Sequence, residues 1–180
     1  DKDGNPVVIR NPDTPTPLAS WEAADQIATI VPDGLMPRIL NGIPVEPLSD
    51  APTDRSAWAE VSGRADIDEP PFDAKGKGTG KHPAAGVVVV ETDGRVWLVA
   101  PTNGHGGYKV TFPKGRIAGG LSMQATAIKE ALEESGLRVA IIAHLVDATR
   151  STTHTRYYLA ERRGGHPGFM CWESQAVHLV

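Results

Sequence analysis

Cysteine is almost missing from this chain of 180 residues, with Cys171 its single example. One thiol excludes an internal disulfide framework and a cysteine-built zinc site. Long apolar runs are missing too. The longest β-branched run, Val87–Val90, has the length of a strand, far short of the ~18 apolar residues of a membrane span. Asp1–Asn5 is polar and offers no apolar h-region, so no signal peptide is expected. The chain does not begin with Met, which suggests a trimmed start. No internal repeat occurs. Basic excess is also lacking: the net charge is −4 and no RNA- or DNA-binding motif is present, so nucleic acid is not expected as the main ligand. The rest is ordinary for a globular chain, at 40% apolar and 22% charged residues. The expectation is a soluble, cytoplasmic protein without membrane partners that handles a small molecule.

The charges are unevenly spread. Residues 1–74 hold 14 of the 22 acids and 5 of the 18 bases, a net of −9; residues 75–180 net +5. Before residue 75 lie 11 of the 15 prolines, and after it 15 of the 19 glycines. This break predicts two parts, a Pro-rich acidic N-terminal arm over 1–74 and a core over 75–180. The stretch Lys75–Lys81 reads as a flexible basic connector. In the arm, Ser20 is expected to cap a helix over Trp21–Ile30, with Ala24, Ile27 and Val31 on one face and a stop at Pro32 and Gly34. Later prolines forbid another long element. Ile39, Leu40, Val45, Leu48 and Trp58 are too apolar for a solvated tail. The arm therefore packs on its own core or across a homodimer, or else serves as a lid or docking element.

The core pattern is clearer. Ala84–Glu91, a turn at Asp93-Gly94 and Arg95–Ala100 read as a hairpin. A glycine-rich loop over 102–107 follows, and His105 in it has no ligand partner at metal-site spacing. Then come a short strand Tyr108–Phe112 and a helix Ser122–Ser135 with Gly136 as its stop. Val139–Val146, Thr155–Ala160 and Ser174–Val180 read as strands. One strong helix among many strands indicates an α+β or mixed α/β sandwich.

The helix carries the chemistry. Leu121, Ala125, Ile128 and Leu132 fall on one apolar stripe, and Glu130, Glu133 and Glu134 on the other side. Carboxylates this close raise one another's pKa unless they share a hard cation. Oxygen-rich clusters suit magnesium or manganese, which also engage substrate phosphates. On spacing alone, a solvated acidic face with an ordinary Lys129–Glu133 pair is the favoured reading, because acidic helix faces are common.

The longer pattern from Gly115 to Leu137 resembles the Nudix box: Gly, five residues, Glu, seven residues, then Arg-Glu-apolar-any-Glu-Glu-any-Gly-apolar. Gly115 opens it, and Lys129-Glu130-Ala131-Leu132-Glu133-Glu134-Ser135-Gly136-Leu137 closes it in register. Leu121 stands where the family has Glu and Lys129 where it has Arg, a pair that usually interacts, so loop rigidity is put in question more than chemistry. The resemblance covers about 81–180. It implies an α/β/α sandwich around a mixed β-sheet. It also implies a metal-dependent pyrophosphohydrolase acting on a nucleoside diphosphate linked to a group X. By position Glu130, Glu133, Glu134 and the Gly115 carbonyl would hold Mg2+ or Mn2+. A box Glu or Glu173, just before the last strand, would act as base, although for Glu173 an exposed loop acid is the favoured reading.

Lys114 and Arg116 flank Gly115 and are candidates for phosphate binding, with Lys109 nearby. Arg150 and Tyr157, in a segment mixing cations and aromatics, are candidates for binding a nucleotide. Tyr157 and Tyr158 alternate, so one is expected in the core and one in the cleft. The approach Phe112-Pro113-Lys114-Gly115 is similar to that of dinucleoside polyphosphate hydrolases. ADP-ribose, a nucleoside triphosphate, or nucleotide sensing without turnover are the alternatives. The chain stops at Val180 in a strand where relatives often continue into a helix, which suggests a fragment.

Overall fold

A computed structural model describes residues 1–73, 80–117 and 119–180. The connector expected over 75–81 lies mostly outside these residues. In chain order the elements are α1 (Ala19–Glu22), β1 (Ala28–Ile30), β2 (Ile39–Leu40), β3 (Ile43–Pro44), α2 (Arg55–Ala59), β4 (His82–Val90), β5 (Trp97–Pro101), β6 (Lys114–Arg116), α3 (Met123–Ser135), β7 (Leu137–Thr149), β8 (Thr153–Gly165) and β9 (Ser174–Leu179).

The strands form a mixed four-stranded sheet in the order β6-β4-β8-β7 and an antiparallel three-stranded sheet in the order β1-β9-β5, with β2 and β3 as a separate small ribbon. Only β4 and β8 are parallel, from His82 opposite Thr153 to Val90 opposite Glu161. Parallel neighbours need a crossover, and the chain between them contains α3. Ser122 caps α3 by accepting from the Ala125 N–H at 3.0 Å. Gly136 ends it in the left-handed region at φ +68°. The core joins Val87, Val89, Tyr158, Ala160 and Ile141 of the mixed sheet to Ala127 and Ala131 of α3 and to Trp97, Val177 and Leu179 of the second sheet. The two alanines let the helix lie close to the strands.

Several elements differ from expectation. The helix at 21–30 is a single turn, Ala19–Glu22. Ala28–Ile30 is instead a strand paired with β9, Thr29 opposite His178. Thr29 and Ile30 are β-branched, and β9 offers a strand edge; that pairing outweighs helical periodicity. Ile27, expected on a buried face, is exposed. The turn at Asp93-Gly94 exists, but its strands diverge: β4 and the next strand meet at one bridge, Val90–Val96, and β5 pairs with β9 in the other sheet. Tyr108–Phe112 contributes only a bridge from Thr111 to Val99. β7 and β8 run to 13 residues each, longer than expected, with irregular register between them.

Residues 1–73 lie against the rest of the same chain. Trp21 is fully buried and stacks on Trp97 at 5.8 Å. Two buried arginines of the core reach arm carbonyls. Arg95 donates to Trp21 O at 2.6 Å and Ser20 O at 3.1 Å, and Arg162 to Leu40 O at 2.7 Å. Arg162 also pairs with Glu91 at 2.5 Å, both side chains 1% exposed. Glu69 pairs with Arg156 at 3.0 Å and accepts from the Tyr158 hydroxyl at 2.9 Å. The acidic arm thus meets basic groups of the core, as its charge leads one to expect.

Candidate functional site

Two elements and a loop converge at one end of α3. β6 presents Lys114-Gly115-Arg116 antiparallel to β4, with Gly115 opposite Ala85. α3 brings Glu130 and Glu134, one turn apart. The loop before β9 brings Glu173. One carboxylate oxygen from each of Glu130, Glu134 and Glu173 lies within 4.8 Å of the others. Glu130 is buried, Glu134 half-buried and Glu173 exposed.

Glu130 owes its place to Gly115. A Cβ built on Gly115 would overlap the Glu130 carboxylate, so the glycine is there for close approach, not for an unusual φ. The glutamates are therefore not the solvated side of α3. Its buried residues are Ala125, Thr126, Ala127, Glu130, Ala131 and Ser135; of the expected apolar stripe Ala125 is buried, Ile128 is half-buried against the core, and Leu132 is half-buried. Leu121 is also half-buried and outside the core cluster, contrary to its expected place. The loop ahead of it is held by the arm: Arg55 donates to Gly119 O at 3.0 and 2.6 Å.

Burial pushes the Glu130 carboxyl up to about 7; Lys129 opposes the rise, and Glu133 and Glu173 add to it. Glu134 is also raised, chiefly by burial, against a hydrogen bond from the Lys114 N–H at 2.8 Å. Three hard oxygen donors, two of them held proton-hungry by burial and crowding, are a donor set that a divalent cation satisfies. Glu133 stands outside this group and is paired with Lys129. Lys129 is also 3.7 Å from Glu130. Burial lowers the Lys129 ammonium, but the Glu133 hydrogen bond and the surrounding carboxylates leave it raised.

Beside the trio opens a cavity of about 440 Å³ lined by Tyr108, Lys114, Gly115, Arg116, Arg150 and Glu173, among others. Arg150 lies 4.5 Å over the Tyr108 ring and donates to Thr111 Oγ1 at 3.3 Å. Lys114, Arg116 and Arg150 are thus brought together, and Glu173 belongs to both the cavity and the trio. His105 lines the rim. Lys109 is elsewhere, beside Asn11 and Gln175.

Tyr157 does not reach the cavity. It is 4% exposed and edge-on to Phe112 at 6.1 Å, and burial raises its phenol pKa. Tyr158 is fully buried on the other face, bonded to Glu69. The two do alternate, but both faces of β8 are covered, so neither is a cleft residue. The aromatic in the cavity is Tyr108. Its signal in the sequence was a lone tyrosine after a glycine-rich loop, which strand periodicity obscured.

A family model of the NUDIX domain matches residues 80–173, from just ahead of β4 to Glu173. No curated protein matches the chain. Among solved structures it is similar to an ADP-ribose pyrophosphatase from Streptococcus suis, at 19% identity and TM-score 0.46 over 54% of this chain and 71% of that one. It is similar to a UDP-X diphosphatase at 16% identity and TM-score 0.46, over 55% of this chain and 50% of that one. A C. elegans Ap4A hydrolase is 22% identical with TM-score 0.39, over 46% of this chain and 66% of that one. No described helix is long and apolar enough to cross a membrane. Since the domain match takes in more than half of the 180 residues, the chain belongs to the Nudix family of hydrolases.

Proposed function

We propose that this Nudix pyrophosphohydrolase cleaves a phosphoanhydride bond in a nucleoside diphosphate derivative, with a dinucleoside polyphosphate ahead of ADP-ribose and nucleoside triphosphates as its substrate class. The observation that carries the reading is the shared wall between a carboxylate trio and a cationic cavity: Glu173 belongs to both. Glu130, Glu134 and Glu173 would hold Mg2+ or Mn2+, with the carbonyl of Gly115. Glu133 would join them by exchanging Lys129 for the ion. A cation there neutralises phosphate charge and lowers the pKa of a water.

The residues of the chain do the remaining work. Lys114, Arg116 and Arg150 would bind phosphate oxygens, consistent with their place in the cavity. Tyr108 under Arg150 offers a face for a base to stack on. Tyr157, closed off from the cavity, would support Phe112 from below, not bind substrate. Glu173, exposed at the cavity wall, would accept the proton of the attacking water. The Phe112–Gly115 approach and the number of cations favour a long phosphate chain.

The test is a panel of diadenosine polyphosphates, ADP-ribose and nucleoside triphosphates with magnesium, with products read by mass. Cleavage of a diadenosine polyphosphate at the highest kcat/KM is the expected result. Binding without any turnover would make the protein a nucleotide-sensing module instead.

A further inference from the structure

Glu173 is exposed, and the hydrogen bonds that hold its segment run through the main chain. The Thr102 N–H donates to Glu173 O at 2.9 Å, and the Ser174 N–H to Cys171 O at 3.1 Å. The Thr102 hydroxyl donates to Trp172 O at 2.7 Å. The place of Glu173 thus depends on where the 102–107 loop is pinned. That loop also walls the cationic cavity, through His105 and Gly106.

Two side-chain amides pin the loop to the first residues of the arm. Gln175, in β9 two residues after Glu173, accepts from the Asn103 N–H at 2.8 Å. Its own amide donates to Asn11 O at 2.9 Å and to Asp13 Oδ2 at 2.7 Å. Asn103 accepts from the Arg10 N–H at 2.8 Å and donates to Val8 O at 2.9 Å. Each amide thus uses both a donor and an acceptor. Gln175 is 9% exposed, so a partner lost there leaves a buried polar group unpaired. Asn103 sits at φ +55°, a left-handed conformation that asparagine adopts more readily than most residues. Val8, Arg10 and Asn11 are exposed, so at these residues amide bonds, not apolar burial, make the contact.

We infer that Asn103 and Gln175 are positioning residues for Glu173: they tie residues 8–13 of the arm to the loop and strand end that carry this carboxylate. The inference rests on the hydrolase reading above, in which Glu173 shares a cation with Glu130 and Glu134 and takes a proton from water. Neither amide is among the described residues that line the cationic cavity. They act instead through the main chain of Thr102 and Glu173. An exposed carboxylate on an unpinned segment samples several positions. A displacement of about 1 Å at a reacting group costs up to ~100-fold in rate.

The test is a mutant cycle against Glu173→Gln, read by magnesium titration in a calorimeter and by steady-state kinetics on the best substrate of the panel. Asn103→Asp keeps the size and backbone preference of an exposed residue and turns a carboxylate oxygen toward Val8 O. Gln175→Glu does the same toward Asn11 O and Asp13. Each should weaken magnesium at least about fivefold and lower kcat about tenfold, with KM within about twofold. In the Glu173→Gln background neither should change magnesium affinity or kcat beyond about twofold. Asp13→Asn should return part of the magnesium affinity to Gln175→Glu, because its amide can donate where the carboxylate only accepts. Unchanged magnesium affinity in Asn103→Asp overturns the assignment. So does an equal loss with and without Glu173, the result of a brace that serves stability alone. The expected magnesium cycle in a protein that cleaves nothing keeps the positioning role and overturns the hydrolase reading.

Discussion

The Glu130 carboxylate rests against the Cα of Gly115, in space that any side chain at 115 would fill. A strand residue thereby sets the position of a helix carboxylate. Gly115→Ala should push Glu130 out of the trio while leaving β6 extended, since alanine tolerates strand geometry. Magnesium affinity should fall at least about tenfold, ~1.4 kcal/mol. Magnesium titration by calorimetry checks this, and unchanged affinity would separate Gly115 from the metal site.

Glu134→Gln should cut turnover at least about a hundredfold, ~2.7 kcal/mol of barrier. Glu133→Gln should do the same if Glu133 leaves Lys129 for the cation. Steady-state kinetics on the best substrate of the panel decide it. Near-wild-type turnover in Glu133→Gln would leave the cation to Glu130, Glu134 and Glu173.

Without metal, stability should fall as pH rises. The Glu130 carboxyl titrates at about 7 in the folded chain against an ordinary 4.5, and Glu134 is raised too. Between those values the native state holds protons that the unfolded chain has released, so the unfolded state gains on raising the pH. The stabilisation is complete below the ordinary value and lost through the raised one. In EDTA the Tm should be lower at pH 8 than at pH 5 by roughly 3 °C or more. Magnesium at pH 8 should restore it. Calorimetric scans in EDTA that show a rising Tm over that window would contradict the burial of these carboxyls.

Arg162→Met should cost about 3–5 kcal/mol, because it leaves Glu91 buried without its charge partner. Deleting residues 1–73 should be worse. It strips arm carbonyls from Arg95 and Arg162, uncovers Trp97 and removes the edge strand β1. Urea melts of the point variant and solubility of the truncated chain are the measurements. A truncated chain as stable as the full one would make the arm a tether.

Leu121→Glu should cost less than about 1 kcal/mol, because Leu121 is half-buried and outside the core. Arg55→Ala should loosen the same loop by freeing Gly119 O, read as faster amide exchange ahead of α3.

The sequence by itself determined the helix and its ends. Ser122 and Gly136 act through bonds and dihedrals a few residues away, so local chemistry is enough to read them. The spacing of the box glutamates and of Gly115, and the mixed α+β character, were legible for the same reason. Tertiary structure alone decided which carboxylates meet. Glu173 is close to Glu130 only because β9 returns beside α3, and Glu133 is turned aside by the Lys129 pair, which spacing left open. It also decided that Thr29 and Ile30 form a strand, because the partner edge at Val177–Leu179 is about 150 residues away along the chain. The burial of Tyr157 has a related origin: alternation tells which face a side chain takes, but whether that face is open depends on Phe112 packing against it. The role of the arm was illegible because its prolines suppress periodicity, and its hold on the core runs through backbone carbonyls, which carry no side-chain signature.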